Sequence, residues 1–262
     1  MMANTLIRIV SYGGGIYLLL NLYALLVSDH LLFAPQTPDY TRLPNETRIE
    51  SGNGEWINAV YLEHPGAQYT LLFSHGNAED LGTVVPFMRQ FHDMGFSVLM
   101  YDYRGYGTSD GSPSTRHAKQ DALAAYDWLV NEKKTDPKRI VSHGRSLGGG
   151  VATWLAANRE VGGLIAEVTF ASAFRVKTRW KMLPWDKFDS LKSIRRVDCP
   201  VLVIHGTDDG IIPFWHGQKI HQAASGPKQC FWIEGGRHND YAYVAGDDYF
   251  NAIQTFADEL LK

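Results

Sequence analysis

Apolar residues fall in short blocks along this chain, and stretches with helical spacing separate them. Residues 68–74, 96–101, 139–143, 163–168, 201–205 and 229–233 are apolar-rich runs of strand length. Residues 47–51 and 56–61 alternate apolar with polar, and Gly52, Asn53 and Gly54 between them are a turn signal, so this pair reads as an antiparallel hairpin. Helical spacing covers residues 81–94, where Leu81, Val84, Val85, Met88 and Phe91 share a face. It recurs over 114–131, with Ala118, Ala122, Ala125, Tyr126 and Leu129 on one face, and again over 151–157 and 247–260. Strands alternating with helices predict βαβ units and a mostly parallel central sheet of about eight strands, with helices on both faces. Residues 170–198 depart from the pattern. Phe174, Trp180, Leu183, Trp185 and Phe188 are mixed there with lysines and arginines, in a segment too long for a simple crossover. This segment reads as a small cap over the end of the sheet.

The N-terminus has its own pattern. Residues 9–28 carry no charge; Arg8 precedes them and Asp29 follows. About twenty apolar residues suffice to cross a bilayer as a helix. An uncleaved membrane anchor is the first expectation, with a signal peptide or a helix packed over the mouth of the domain as rivals. Arg8 before the run places the N-terminus inside and the domain on the non-cytoplasmic side; the alternative is a soluble cytoplasmic or secreted protein. Residues 30–46, with Pro35, Pro38 and Pro44, read as an extended linker. The expected organisation is a hydrophobic segment and linker over 1–40, then one domain over 41–262.

Composition narrows the chemistry. With 25 basic and 28 acidic residues the net charge is −3, and no basic block stands out, so nucleic acid is not an expected partner. Two cysteines, Cys199 and Cys230, make neither a disulfide framework nor a metal site. The chain lacks the H-x-H, H-E-x-x-H and C-x-x-C spacings, and no dinucleotide fingerprint follows the first strand, so neither a metal nor another cofactor is expected.

In an open parallel sheet, ligands bind beyond the carboxyl ends of the strands, so the residues just after each strand hold the candidate chemistry. After 139–143 comes Gly144-Arg145-Ser146-Leu147-Gly148, a G-x-S-x-G turn between a strand and a helix. That context holds a serine on a strained backbone with its hydroxyl exposed. Serine needs a neighbouring base, and histidine suits the role near neutral pH. His238 follows the last strand in a glycine-flanked loop, and Asp209 follows residue 204, with Asp208 as the rival acid. Ser146, Asp209 and His238 therefore come in the order expected for nucleophile, acid and base. The backbone N–H groups of Leu147 and Asn77 are the expected oxyanion donors, one at a helix start and one in the loop after an early strand. Phe174, Trp180, Leu183 and Trp185 are the expected walls of an apolar acyl pocket. Arg104 is expected to form a salt bridge behind the site, His143 to be buried in the sheet, and His205 to be hydrogen-bonded near the acid loop.

From about residue 40 to the end, the chain resembles the α/β-hydrolase family. The resemblance rests on Gly144–Gly148, His75-Gly76-Asn77, residues 205–209 with Pro213, and Gly236-Arg237-His238-Asn239. Residues 33–40 and 73–82 resemble a branch that includes membrane-associated serine hydrolases and protein depalmitoylases. The resemblance implies an α/β-hydrolase fold, hydrolysis of an ester or thioester through an acyl-enzyme, and Asp209 rather than Asp208 as the acid. The expected activity is a carboxylesterase acting on a small-molecule or lipid ester, with short to medium acyl chains because a cap of under thirty residues encloses little volume. A peptidase or amidase with the same triad, an acyl-protein thioesterase, and a catalytically silent binding protein are the alternatives.

Overall fold

The computed structural model describes residues 2–178 and 180–261. The chain opens with α1 (Met2–Leu32), then runs through the hairpin β1 (Glu46–Glu50) and β2 (Trp56–Leu62). There follow β3 (Thr70–Ser74), α2 (Leu81–Asp93), β4 (Ser97–Tyr101), α3 (Thr115–Asn131), β5 (Ile140–Arg145) and α4 (Leu147–Ala156). The second half holds β6 (Gly163–Glu167), α5 (Ser190–Ile194), β7 (Val201–Gly206), α6 (Trp215–Ala223), β8 (Lys228–Ile233), α7 (Tyr241–Ala245) and α8 (Asp247–Glu259).

The eight strands form one sheet in the order β1-β2-β4-β3-β5-β6-β7-β8. Only β2 runs against the rest, since it pairs antiparallel with both β1 and β4 while every other pair is parallel. The expected eight-stranded, mostly parallel sheet is what forms. Strand side chains alternate between two buried layers. Leu72, Leu99, Leu164 and Val203 face one layer, packed on α3 and α4 through residues such as Ala122 and Val151. Leu71, Val98, Ile165 and Leu202 face the other, packed on α2 and α8 through Met88 and Ile253. Local capping fixes where the helices start: Asp80 accepts the Thr83 N–H at 3.0 Å and Ser114 accepts the His117 N–H at 3.0 Å.

The N-terminal helix is longer than the apolar run. It continues through Gly13, Gly14 and Gly15 and ends at Leu32, and its span Val10–Leu32 is long and apolar enough to cross a membrane. Both cysteines are free thiols, and Cys230 lies inside β8. Burial pushes the Cys199 thiol up to about 12, so it is a poor nucleophile. Between β6 and β7, residues 170–198 form an irregular excursion with one 3₁₀ turn and α5.

Candidate active site

Ser146 joins β5 to α4 with φ 53° and ψ −115°, a region that is strained for any residue with a side chain. Three bonds hold it there. Its N–H donates to the Glu167 carbonyl at 2.9 Å, and its carbonyl accepts the Thr169 hydroxyl at 2.7 Å and the Gly149 N–H at 3.1 Å. The flanking glycines are needed for space. A Cβ on Gly148 would collide with the carbonyl oxygens of Ser74 and His75, and one on Gly144 with the Gly148 carbonyl and the Ala152 methyl.

Three loops bring the sequence-selected side chains together. His238 Nε2 lies 2.9 Å from Ser146 Oγ, and His238 Nδ1 lies 2.7 Å from Asp209 Oδ2. The other carboxylate oxygen of Asp209 accepts the N–H groups of Ile211 at 2.9 Å and Ile212 at 2.8 Å. His205 Nε2 is 3.4 Å from Asp209 Oδ2 and 2.9 Å from the Ile212 carbonyl. Burial alone would raise the Asp209 pKa. Hydrogen bonds from His205 and His238, with the His238 charge, outweigh burial and hold the carboxyl well below the usual range. Asp208 is exposed and its N–H is bonded to the Gly236 carbonyl at 3.0 Å. The acid and histidine loops touch: a Cβ on Gly206 would collide with the Gly236 carbonyl.

Leu147 is the first residue of α4, and Asn77 follows β3; both line the same cavity as Ser146 and His238. Among the described residues neither N–H donates to another protein group. The Asn77 side chain has a different task. Its Oδ1 accepts the Ala34 N–H at 2.8 Å and the Tyr106 hydroxyl at 2.7 Å, which fixes the loop. His143 is buried, and Arg104 pairs with Asp121 at 2.8 Å and Glu55 at 2.9 Å.

Sequence reasoning missed two supports. Arg145 forms a close ion pair with Glu79, whose other oxygen accepts the Gly76 N–H at 2.6 Å, so the elbow is tied to the Asn77 loop. Behind the elbow, the buried Glu167 accepts the hydroxyls of Tyr241 at 2.6 Å and Tyr249 at 2.7 Å and lies 2.8 Å from His143 Nε2. Burial pushes the Glu167 pKa up, but His143 and the hydrogen bonds outweigh it and hold the carboxyl below its ordinary value.

The cavity in front of Ser146 measures about 930 Å³. Phe174, Trp180, Leu183 and Trp185 all line it, and Tyr17, Leu20, Ala24 and Val27 of α1 supply a second wall. Its acidic lining residues are Glu79 and Asp186, the first engaged by Arg145 and the second by the Ser172 hydroxyl. Among the described residues no group of three or more His, Cys, Asp or Glu could hold a metal ion.

The sequence has well-matched relatives. It is 36% identical over 200 residues to alpha/beta hydrolase domain-containing protein aho-3 of Caenorhabditis elegans, covering 74% of this chain and 59% of that protein. It is 36% identical over 219 residues to human alpha/beta hydrolase domain-containing protein 17B, covering 82% of this chain and 75% of the human one. The chain belongs to the α/β-hydrolase family. A family model described as serine aminopeptidase, S33, matches residues 65–192 of this hydrolase. The fold of the hydrolase superposes on the esterase Pf2001 of Pyrococcus furiosus with a TM-score of 0.73, at 17% identity, over 86% of this chain and 99% of that one.

Proposed function

We propose that this hydrolase cleaves carboxylic esters or acyl thioesters through a serine-bound acyl-enzyme. One observation carries the reading: the Ser146 hydroxyl, 2.9 Å from His238 Nε2, faces a largely apolar cavity. In this reading His238 takes the Ser146 proton as Oγ attacks the acyl carbonyl. The N–H groups of Leu147 and Asn77 receive the charge that develops on the carbonyl oxygen. The proton on His238 passes to the leaving alcohol or thiol as the carbonyl–heteroatom bond breaks. Water, deprotonated by His238, then releases the acid and restores Ser146. Asp209 fixes the imidazole tautomer and stabilises the imidazolium. The excursion acts as a cap.

Chain length needs a different estimate from the one based on the cap alone. With α1 as a second wall, about 930 Å³ sits near the top of the ~300–1,000 Å³ range of ligand pockets. That volume favours long acyl chains over short to medium ones. The charge of the lining disfavours the aminopeptidase activity named by the matching family model: Arg145, Arg175, Lys177 and Lys181 outnumber Glu79 and Asp186, and net positive charge repels a substrate ammonium. We also infer that α1 anchors the enzyme in a membrane. The uncharged run over residues 9–28 and Arg8 ahead of it support this orientation, with the domain on the non-cytoplasmic side.

A p-nitrophenyl acyl series run beside aminoacyl anilides tests the substrate class. Turnover rising with acyl length is expected; faster cleavage of the anilides would overturn the reading. The acid is tested separately. Asp209→Asn is expected to lower kcat by about 10⁴-fold by favouring the wrong histidine tautomer. Asp208→Asn, altering an exposed side chain, should leave kcat within a few-fold. The opposite ranking would make Asp208 the acid.

A further inference from the structure

The two faces of α1 do different things. Its inner face lines the cavity, and polar contacts tie it to the domain, among them the Thr115 N–H and hydroxyl on Asp29 Oδ1 at 3.1 and 2.7 Å. Trp185 Nε1 donates to Asn21 Oδ1 at 3.2 Å, the Tyr17 hydroxyl donates to the Met182 carbonyl at 3.1 Å, and Lys187 pairs with Asp29 at 2.8 Å. Its outer face carries Leu18, Leu19, Leu22, Leu25 and Leu26, each more than half exposed. A stripe of five exposed leucines one helix turn from a substrate cavity is costly in water and favourable against hydrocarbon.

The cap edge facing α1 has the complementary character. Trp180 and Met182 are 79% and 64% exposed, and Lys177 and Lys181 beside them are exposed as well. Residues 174–187 hold five basic side chains and one acidic, net +4, in a chain whose total is −3. Exposed tryptophan with lysine beside an apolar helix is the composition of a membrane–water interface, and positive charge there favours anionic headgroups. Residues 10–16 are all exposed and precede Tyr17, the first cavity-lining residue, so α1 runs on beyond the cavity in the direction of its N-terminus.

We propose that the seam between α1 and the cap is a lateral portal seated in an anionic bilayer, through which the acyl chain of a membrane-resident ester slides into the cavity without crossing water. The portal rests on the anchoring of α1 and on the esterase reading, and it adds the route and the surface. Its bar is the Asn21–Trp185 hydrogen bond: a chain entering from the hydrocarbon passes between these two residues, while the leaving group stays at headgroup level near Lys177 and Lys181.

The test uses the full chain in phosphatidylcholine–phosphatidylserine vesicles. Asn21→Cys/Trp185→Cys in a Cys230→Ser background lets a short bifunctional methanethiosulfonate span the seam, since the two side chains meet only at their tips, and reduction of the same sample opens it again. Cross-linking is expected to slow hydrolysis of a long-chain acyl ester of a fluorogenic phenol held in the vesicles by about tenfold more than that of its water-dissolved butyryl counterpart. Reduction should restore the ratio, which separates gating from misfolding. Equal slowing of both esters, or of neither, overturns the portal. Carbonate washing distinguishes the anchor: protein that leaves the vesicles sinks the anchoring reading and the portal with it, whereas retained protein with equal slowing sinks the portal alone. A readout without turnover is quenching by brominated lipid. Tryptophan quenching is expected to drop in Trp180→Phe, and an unchanged signal places the cap edge away from the bilayer and overturns the proposal.

Discussion

Ser146→Ala is expected to lower kcat on acyl esters by about 10⁴–10⁶-fold and to abolish labelling by a fluorophosphonate, with the thermal unfolding temperature unchanged. The activity loss follows from removing the hydroxyl placed to attack, 2.9 Å from His238 Nε2. The retained stability follows from how little the hydroxyl does for the fold. It caps no helix, while Ser146 is held by its backbone N–H and carbonyl, which alanine keeps. Nucleophile and base act as a unit, so Ser146→Ala/His238→Ala should lose little more than either single variant. The kinetics and the melt are read on the same preparations. Activity within tenfold of wild type would remove Ser146 from the mechanism, whatever the geometry.

Glu167→Ala should be the most destabilising single change near the site, by about 3–5 kcal/mol, or about 6–20 °C in unfolding temperature for a chain of this size. The substitution takes one carboxylate from the interior and strands three partners: the hydroxyls of Tyr241 and Tyr249, and His143 Nε2. All three side chains are buried, so water cannot replace the lost acceptor. Activity should fall with it, because Tyr241 begins the helix that follows the His238 loop. Glu167→Gln keeps one acceptor oxygen and should cost less. The pH dependence has a definite sign. The folded-state pKa of Glu167 lies below its ordinary value of 4.5, so the unfolded chain binds its proton more readily. Its contribution is therefore whole above about pH 4.5 and is lost as pH falls through the folded value. Urea melts between pH 6 and about pH 2.5 check this. Glu167→Ala should remove part of the acid sensitivity, and an unchanged acid slope would sink the assignment.

These two residues mark the boundary of what the sequence conveys. Ser146 was legible because its task imposes a local pattern: a strand, two glycines with no room for a Cβ, and a helix start. Asp209 and His238 were legible because each follows an apolar strand, and a parallel sheet brings strand ends to one edge. Glu167 was not. It is one carboxylate closing an apolar run, and its partners lie 24, 74 and 82 residues away. Nothing local distinguishes it from a solvated glutamate. Arg145 had the same fault, being the variable position of the G-x-S-x-G turn while its partner Glu79 stands 66 residues earlier. Helix α6 was missed because Ile220, His216 and Gly217 are its buried residues, too few apolar positions to set a period. The role of α1 was hidden for the opposite reason. A helix apolar on every side shows no preferred face, so the pattern could not say that one side would wall a cavity.

The meeting of Gly206 with Gly236 has a mechanical consequence. Two loops whose main chains touch, cross-linked by the Asp208 N–H to the Gly236 carbonyl and the Gly235 N–H to Thr207 Oγ1, move as one part. Acid and imidazole ride together on that part, and Tyr241 on Glu167 and Arg145 on Asn239 couple it to the elbow. A shift of the acid loop thus carries the imidazole with it, so the Asp209–His238 spacing is the one best protected from thermal jostling.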